Sequence, residues 1–215
     1  INIHFDIATT NQDCLIDSYL DGKGDVIDGF VKGKHGPKDW RPKSFDAHPD
    51  ADKLLKIHGS LSWFWSDCSN CQTRSIVDLR NCEEKCLCEN CNDVLWIDNY
   101  NRPVILGSEH KEAHYLRLVF SELHHQLFLT LRDADCVVIA GFSLQDMGIN
   151  MMLNNRFRMK PQLRILLIDT EPNLQSWANH VIGSRHMITD DGRIHQVCGQ
   201  VENFRWAQLV DWLNI

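Results

Sequence analysis

Short apolar runs alternate with longer amphipathic stretches along this chain, and their spacing predicts strands and helices by turns. Residues 2–8, Asn-Ile-His-Phe-Asp-Ile-Ala, read as a short buried strand. It ends in the polar run Thr9-Thr10-Asn11-Gln12-Asp13, and a helix is expected to begin near Cys14. Leu54-Leu55-Lys56-Ile57 is a second strand, followed at once by His58-Gly59-Ser60. Leu116, Phe120, Leu123, Leu127 and Leu131 recur at helical spacing and predict one amphipathic helix over 112–132, its stripe facing the core. Cys136 to Ala140 lacks alternation, as expected of a parallel strand covered on both faces. Gly141-Phe142-Ser143 turns the chain, Asp146 can cap a helix from Met147, and Leu163 to Ile168 forms a strand ending at Asp169. Pro172 opens a further helix, Ile194 to Val197 is a last strand, and Phe204 to Leu213 a closing helix. The class is α/β, with a Rossmann-like doubly wound parallel sheet expected. Residues 21–52, rich in Gly, Pro and charge with little periodicity, read as a long surface loop.

Composition changes the picture little. Of 215 residues, 43% are hydrophobic and 24% charged, which is ordinary globular usage and excludes a collagenous or disordered chain. Twenty-two Lys and Arg against 29 Asp and Glu leave a net charge of -7, so a phosphate backbone or anionic membrane is not attracted, and direct nucleic-acid binding is not expected. The longest apolar runs fall far short of the roughly 20 residues that cross a bilayer. With Ile1 first and no leader pattern, the expectation is a cytoplasmic fragment of a longer protein, with a fused domain or a homo-oligomer as possible company.

Six of the nine cysteines fall between Cys68 and Cys91. Cys68/Cys71 and Cys88/Cys91 are both C-x2-C pairs, and the 16 residues between them fit the spacing of a structural zinc site. Two such turns would present four thiolates to one ion, and metal binding can fold a segment with little core of its own. Disulfides are the alternative, but a chain of this length without a signal peptide hardly needs staples. Cys82 and Cys86 are surplus, and Cys86 could replace Cys88 as third ligand. The expected organisation is therefore residues 1–62 and 98–215 as the Rossmann-like domain, interrupted by a small zinc-ribbon insert over 63–97.

In open parallel sheets, ligands bind beyond the carboxyl ends of the strands. Each polar cluster named above follows a strand, so Thr9 to Asp13, His58 to Ser60, Gly141 to Ser143, and Asp169 are expected to converge along one edge. Singly, each has a plainer explanation: Asn11 or Asp13 as a helix cap, His58 as a hydrogen-bonded structural histidine, Gly141 and Ser143 as a tight turn.

Together these residues resemble the sirtuins. Thr9-Thr10-Asn11-Gln12-Asp13 resembles their T-x-N-x-D motif, Ile57-His58-Gly59-Ser60 their H-G motif, and the four-cysteine series follows it as it does in that family. Gly141-Phe142-Ser143-Leu144 resembles the G-T-S-L turn, and Leu167-Ile168-Asp169 the later I-N strand end. Gly141 to Asp146 followed by Ile149-Asn150 is most similar to divergent prokaryotic sirtuin-like domains. Four departures stand out: the Gly-Ala-Gly phosphate loop is missing and would come from a longer parent chain, Phe142 replaces Thr, Asp169 replaces Asn, and 106–109 lacks the Phe of the family's F-G-E loop.

The resemblance implies NAD as cofactor and substrate, with structural zinc, and cleavage of the nicotinamide–ribose bond. His58 would be the base, since histidine most readily takes and returns a proton at neutral pH. Asn11 would orient the ribose or a water, and Asp13 would stabilise the cationic sugar or hold the amide. Thr9, Gly141 and Ser143 would line the cofactor, and Asp169 would accept from the adenosine ribose diol and repel a 2′-phosphate. Three functions follow: an NAD hydrolase of the kind found in prokaryotic antiviral systems, an NAD-dependent protein deacylase, or a non-catalytic module binding NAD or ADP-ribose.

Overall fold

The computed structural model describes residues 4–23, 26–33, 36–80, 86–105, 116, 118–183, 192–200 and 203–213. The chain divides into two compact units, Ile1–Leu127 and Phe128–Ile215.

In the first unit, β1 (Ile7–Thr9) pairs in parallel with β4 (Leu54–Lys56), in the register Ile7 with Leu54 through Thr9 with Lys56. Leu54, Leu55 and Ile57 are buried, as expected of apolar positions on a parallel strand. Helix α1 (Leu15–Leu20) follows the polar run after β1.

The rest of this unit is a five-stranded antiparallel sheet in the order β2-β3-β6-β5-β7, built from β2 (Phe30–Lys32), β3 (Lys38–Trp40), β5 (Trp63–Cys68), β6 (Thr73–Asp78) and β7 (Trp96–Asp98). Two of these strands and helix α2 (Lys43–Ala47) lie in the segment expected to be a surface loop. The correction has a physical reason. Three-residue strands carry too little periodicity to be read locally, and they are held by distant partners: Lys38 pairs with Asp78, and Phe30 packs on Trp63 at 4.9 Å and on Trp40 at 5.2 Å.

Helix α3 (Leu118–Asp133) buries Phe120, Leu123, Leu127 and Leu131, the expected stripe. Leu116 departs from it and is 84% exposed. The expected start at 112 lies outside the described residues.

In the second unit β8 (Cys136–Ala140), β9 (Arg164–Asp169) and β10 (Ile194–Cys198) form a parallel sheet in the order β10-β9-β8. Leu163, Ile165, Leu166, Leu167 and Ile168 are all buried, so the central strand forms the core of this unit. Among the described residues β8 lies at one edge of this sheet, and Val138 is 41% exposed, so the expected cover on both faces is incomplete. Helices α4 (Met147–Met159), α5 (Leu174–Val181) and α6 (Trp206–Leu213) lie in the same unit. The chain is thus a mixed α/β protein, and among the described residues its parallel strands fall in two sheets, one in each unit.

Candidate active site and cysteine centre

Parallel pairing of β1 with β4 brings their carboxyl ends level, and so sets the loop after Thr9 beside the loop after Lys56. Backbone bonds tie the two loops along their length: Ile57 N donates to Thr9 O at 3.1 Å, and Leu61 N to Gln12 O at 2.8 Å. Gln12 Nε2 donates to Ile105 O at 2.7 Å, while Ile105 N donates to His58 O at 2.9 Å. Two motifs more than 40 residues apart in sequence therefore share one strand-end platform.

On that platform His58 is buried, whereas Asn11 and Asp13 are exposed. Thr9 Oγ1 accepts from Asn11 N at 3.0 Å, and Asp13 Oδ1 accepts from Leu15 N at 2.9 Å, a local turn just ahead of α1; the cap position itself is Cys14 and carries no side-chain bond, so neither Asn11 nor Asp13 is the helix cap. Gly59 has a φ of +85°, and a β-carbon there would run into the Pro103 carbonyl oxygen. Only glycine satisfies both the left-handed backbone and this close approach.

Beneath the platform lies a charged cluster that the sequence reading passed over. Lys56, in the middle of an apolar run, is 2% exposed, and its Nζ donates to Asp17 Oδ2 at 2.6 Å and to the Asp13 carbonyl. Arg80 joins Asp17 at 3.3 Å, Asp28 at 3.5 Å and Asp78 at 2.8 Å. Burial pushes the Asp28 carboxyl above its usual range against the pull of Lys38 and Arg80. A lysine inside a run otherwise fit for full burial was the available signal, because a buried charge demands partners.

In the second unit the register sets the ends of β8, β9 and β10 together, Ala140 opposite Ile168 and Asp169 opposite Cys198. The turn after β8 is fixed from within: Gly141 has a φ of +61°, Leu144 is buried with a φ of +55°, and Asn150 Nδ2 donates to Leu144 O at 2.6 Å. Asp146 Oδ1 accepts from Ile149 N at 3.1 Å, the expected cap. Ser143 is exposed on this turn. Asp169 is half-buried, and its Oδ1 accepts from Glu171 N at 2.9 Å. Residues 106–109 lie outside the described residues.

Cys68, Cys71, Cys88 and Cys91 gather with their sulfurs within 4.8 Å of one another. Cys68 Sγ and Cys91 Sγ are 3.5 Å apart, and Cys71 Sγ and Cys88 Sγ 3.8 Å. A tetrahedron of sulfurs at about 2.3 Å from zinc has edges of about 3.8 Å, whereas a disulfide needs about 2.0 Å. The four thiols are free, and the spacing is compatible with zinc. Both C-x2-C turns share a backbone signature, since Gln72 and Asn92, each directly after the second cysteine, have φ of 50° and 62°. Cys71 N donates to Cys68 Sγ at 3.4 Å. Hydrogen bonds from the Asn90 and Cys91 amides draw the Cys88 thiol down to about 7, while neighbouring thiols, Cys91 first, and burial push Cys71 up to about 12. Four close sulfurs cannot all ionise without a cation between them. Cys86 stands outside the group, and Cys82 lies outside the described residues.

The family model for the SIR2-like domain matches residues 6–182. The chain belongs to that family, and the match runs through every motif named above. No curated protein matches the chain. Among solved structures, a Sir2 homologue, a serine-to-alanine mutant in complex with ADP-ribose, aligns at 16% identity over 58% of this chain and 45% of that one, with a TM-score of 0.29. The chain thus spans less than half the length of that structure. Among the described residues, no helix is long and apolar enough to cross a membrane.

Proposed function

We propose that the protein is an NAD-consuming enzyme that cleaves the nicotinamide–ribose bond, with water as acceptor. NAD and water would give ADP-ribose, nicotinamide and a proton. The observation that carries this reading is the platform on which the T-x-N-x-D and H-G loops are laced together by the Thr9–Ile57 and Gln12–Leu61 bonds. Membership of the SIR2-like family supports it. His58 takes the proton from a ribose hydroxyl or the attacking water, Asn11 orients that group, and Asp13 faces the sugar as charge develops. Thr9 lines the same subsite. Gly141, Ser143 and Asp169 lie at strand ends of the second unit, the place where an open parallel sheet takes a ligand, and are proposed as that unit's cofactor contacts.

Cys68, Cys71, Cys88 and Cys91 would hold zinc, which closes the end of the antiparallel sheet and does no chemistry. The donor set supports this, since four thiolates leave no open position for substrate. A role in prokaryotic antiviral defence follows the same reading, because NAD loss would halt a cell in which a phage replicates.

The test is NAD turnover by the full-length protein, with and without an acetyl-lysine peptide, and chromatography of the products. ADP-ribose and nicotinamide without peptide, abolished in His58→Ala at unchanged thermal stability, are expected. O-acetyl-ADP-ribose formed only with peptide would make the protein a deacylase. NAD binding without turnover would make it a binding module.

A further inference from the structure

We propose that Lys56 is a positioning residue, which holds the Thr10–Asp13 loop in its working place through the Asp13 carbonyl and the Asp17 carboxylate. The proposal rests on the functional reading above and adds to it a residue outside the recognised motifs.

The loop bearing Asn11 is clamped at both ends by the same strand. At its start, Thr9 O accepts from Ile57 N at 3.1 Å. At its end, the Asp13 carbonyl accepts from Lys56 Nζ, which also pairs with Asp17 Oδ2 at 2.6 Å in the first turn of α1. Lys56 and Asp17 are both 2% exposed at their side chains. Lys56 lies two residues before His58, so the clamp links the base and the loop through a few rigid backbone units. For stability alone an ion pair this deep is a poor choice, because desolvating two charges offsets much of their attraction, and apolar residues of similar size serve as well or better. What an apolar residue lacks is a donor for the Asp13 carbonyl. The charge therefore sets loop geometry rather than core stability, and misplacement of an orienting group by about 1 Å can cost about a hundredfold in rate.

Two variants of the full-length protein separate positioning from structure. Lys56→Met leaves Asp17 with Arg80 as its remaining cation, and a lower Tm is expected. Lys56→Met with Asp17→Asn restores the charge balance, and its Tm should return toward wild type. The anchor for Asp13 stays lost in both, so kcat for NAD cleavage should remain about 10- to 100-fold down while KM for NAD moves less than about threefold. Amide hydrogen exchange should show residues 10–14 deprotected in both variants, with β5 and β6 unchanged. A double variant with wild-type kcat and wild-type protection at 10–14 overturns the proposal while leaving the functional reading intact. A wild type that does not cleave NAD overturns the functional reading and this proposal together.

Discussion

Gly59→Ala tests how tightly the H-G turn is built, and Gly141→Ala is its natural control. Both glycines sit in the left-handed region, at φ of +85° and +61°. An L-residue there costs about 1–2 kcal/mol. At Gly141 the described residues add no other penalty, since none of them lies within 4 Å of an added β-carbon. At Gly59 the added carbon meets the Pro103 carbonyl, a backbone atom that no side-chain rotation can clear. Moving it strains the adjoining pairing of Gly59 with Val104 and the bond from Ile105 N to His58 O at 2.9 Å. Overpacking of this kind and one weakened hydrogen bond add about 2–3 kcal/mol. The expectation is a loss of about 1–2 kcal/mol for Gly141→Ala and about 3–5 kcal/mol for Gly59→Ala. Urea denaturation read by tryptophan fluorescence measures both, and the buried Trp63 reports on the unit that holds Gly59. Equal midpoints for the two variants would refute the reasoning, because the Pro103 contact would then count for nothing.

Two further outcomes are expected. The purified protein should hold one zinc with four sulfur neighbours at about 2.3 Å by X-ray absorption. Cys88→Ser should lose the metal and melt the sheet end it closes, while Cys86→Ser and Cys82→Ser keep it; a nitrogen or oxygen shell, or sulfur pairs at about 2.0 Å, would count against the four-thiolate site. The Asp98 carboxyl accepts from the Asn101 and Tyr100 amides and from Asn101 Nδ2, and these bonds, Asn101's first, hold it below its ordinary value of 3.8. A lowered carboxyl pKa adds stability above the unfolded value and loses it as pH falls through the folded one. Asp98→Asn should therefore be less stable than wild type at pH 7, with the difference shrinking below pH 3.8; a gap that persists or grows in acid would show that the bonds to Asp98 do not depend on its charge.

The sequence by itself determined the α/β class, the capping of α4 by Asp146, the buried stripe of α3 and the two cysteine pairs. These are local properties. An apolar period records which face of a segment leaves water, and a C-x2-C pair fixes a turn within four residues, so each can be read without knowing what lies opposite. Tertiary structure decided what faces what. It turned 30–40 from an apparent loop into two strands by giving Lys38 a partner at Asp78 and Phe30 a partner at Trp63. It gathered Cys88 rather than Cys86 with the other three sulfurs. It set the Asn11 loop against His58, and placed under both the Lys56–Asp17 pair, whose members stand 39 residues apart. Pairings over such separations leave no period in the chain, because they form only when the whole backbone closes and the loop entropy is offset by burial and hydrogen bonds made elsewhere.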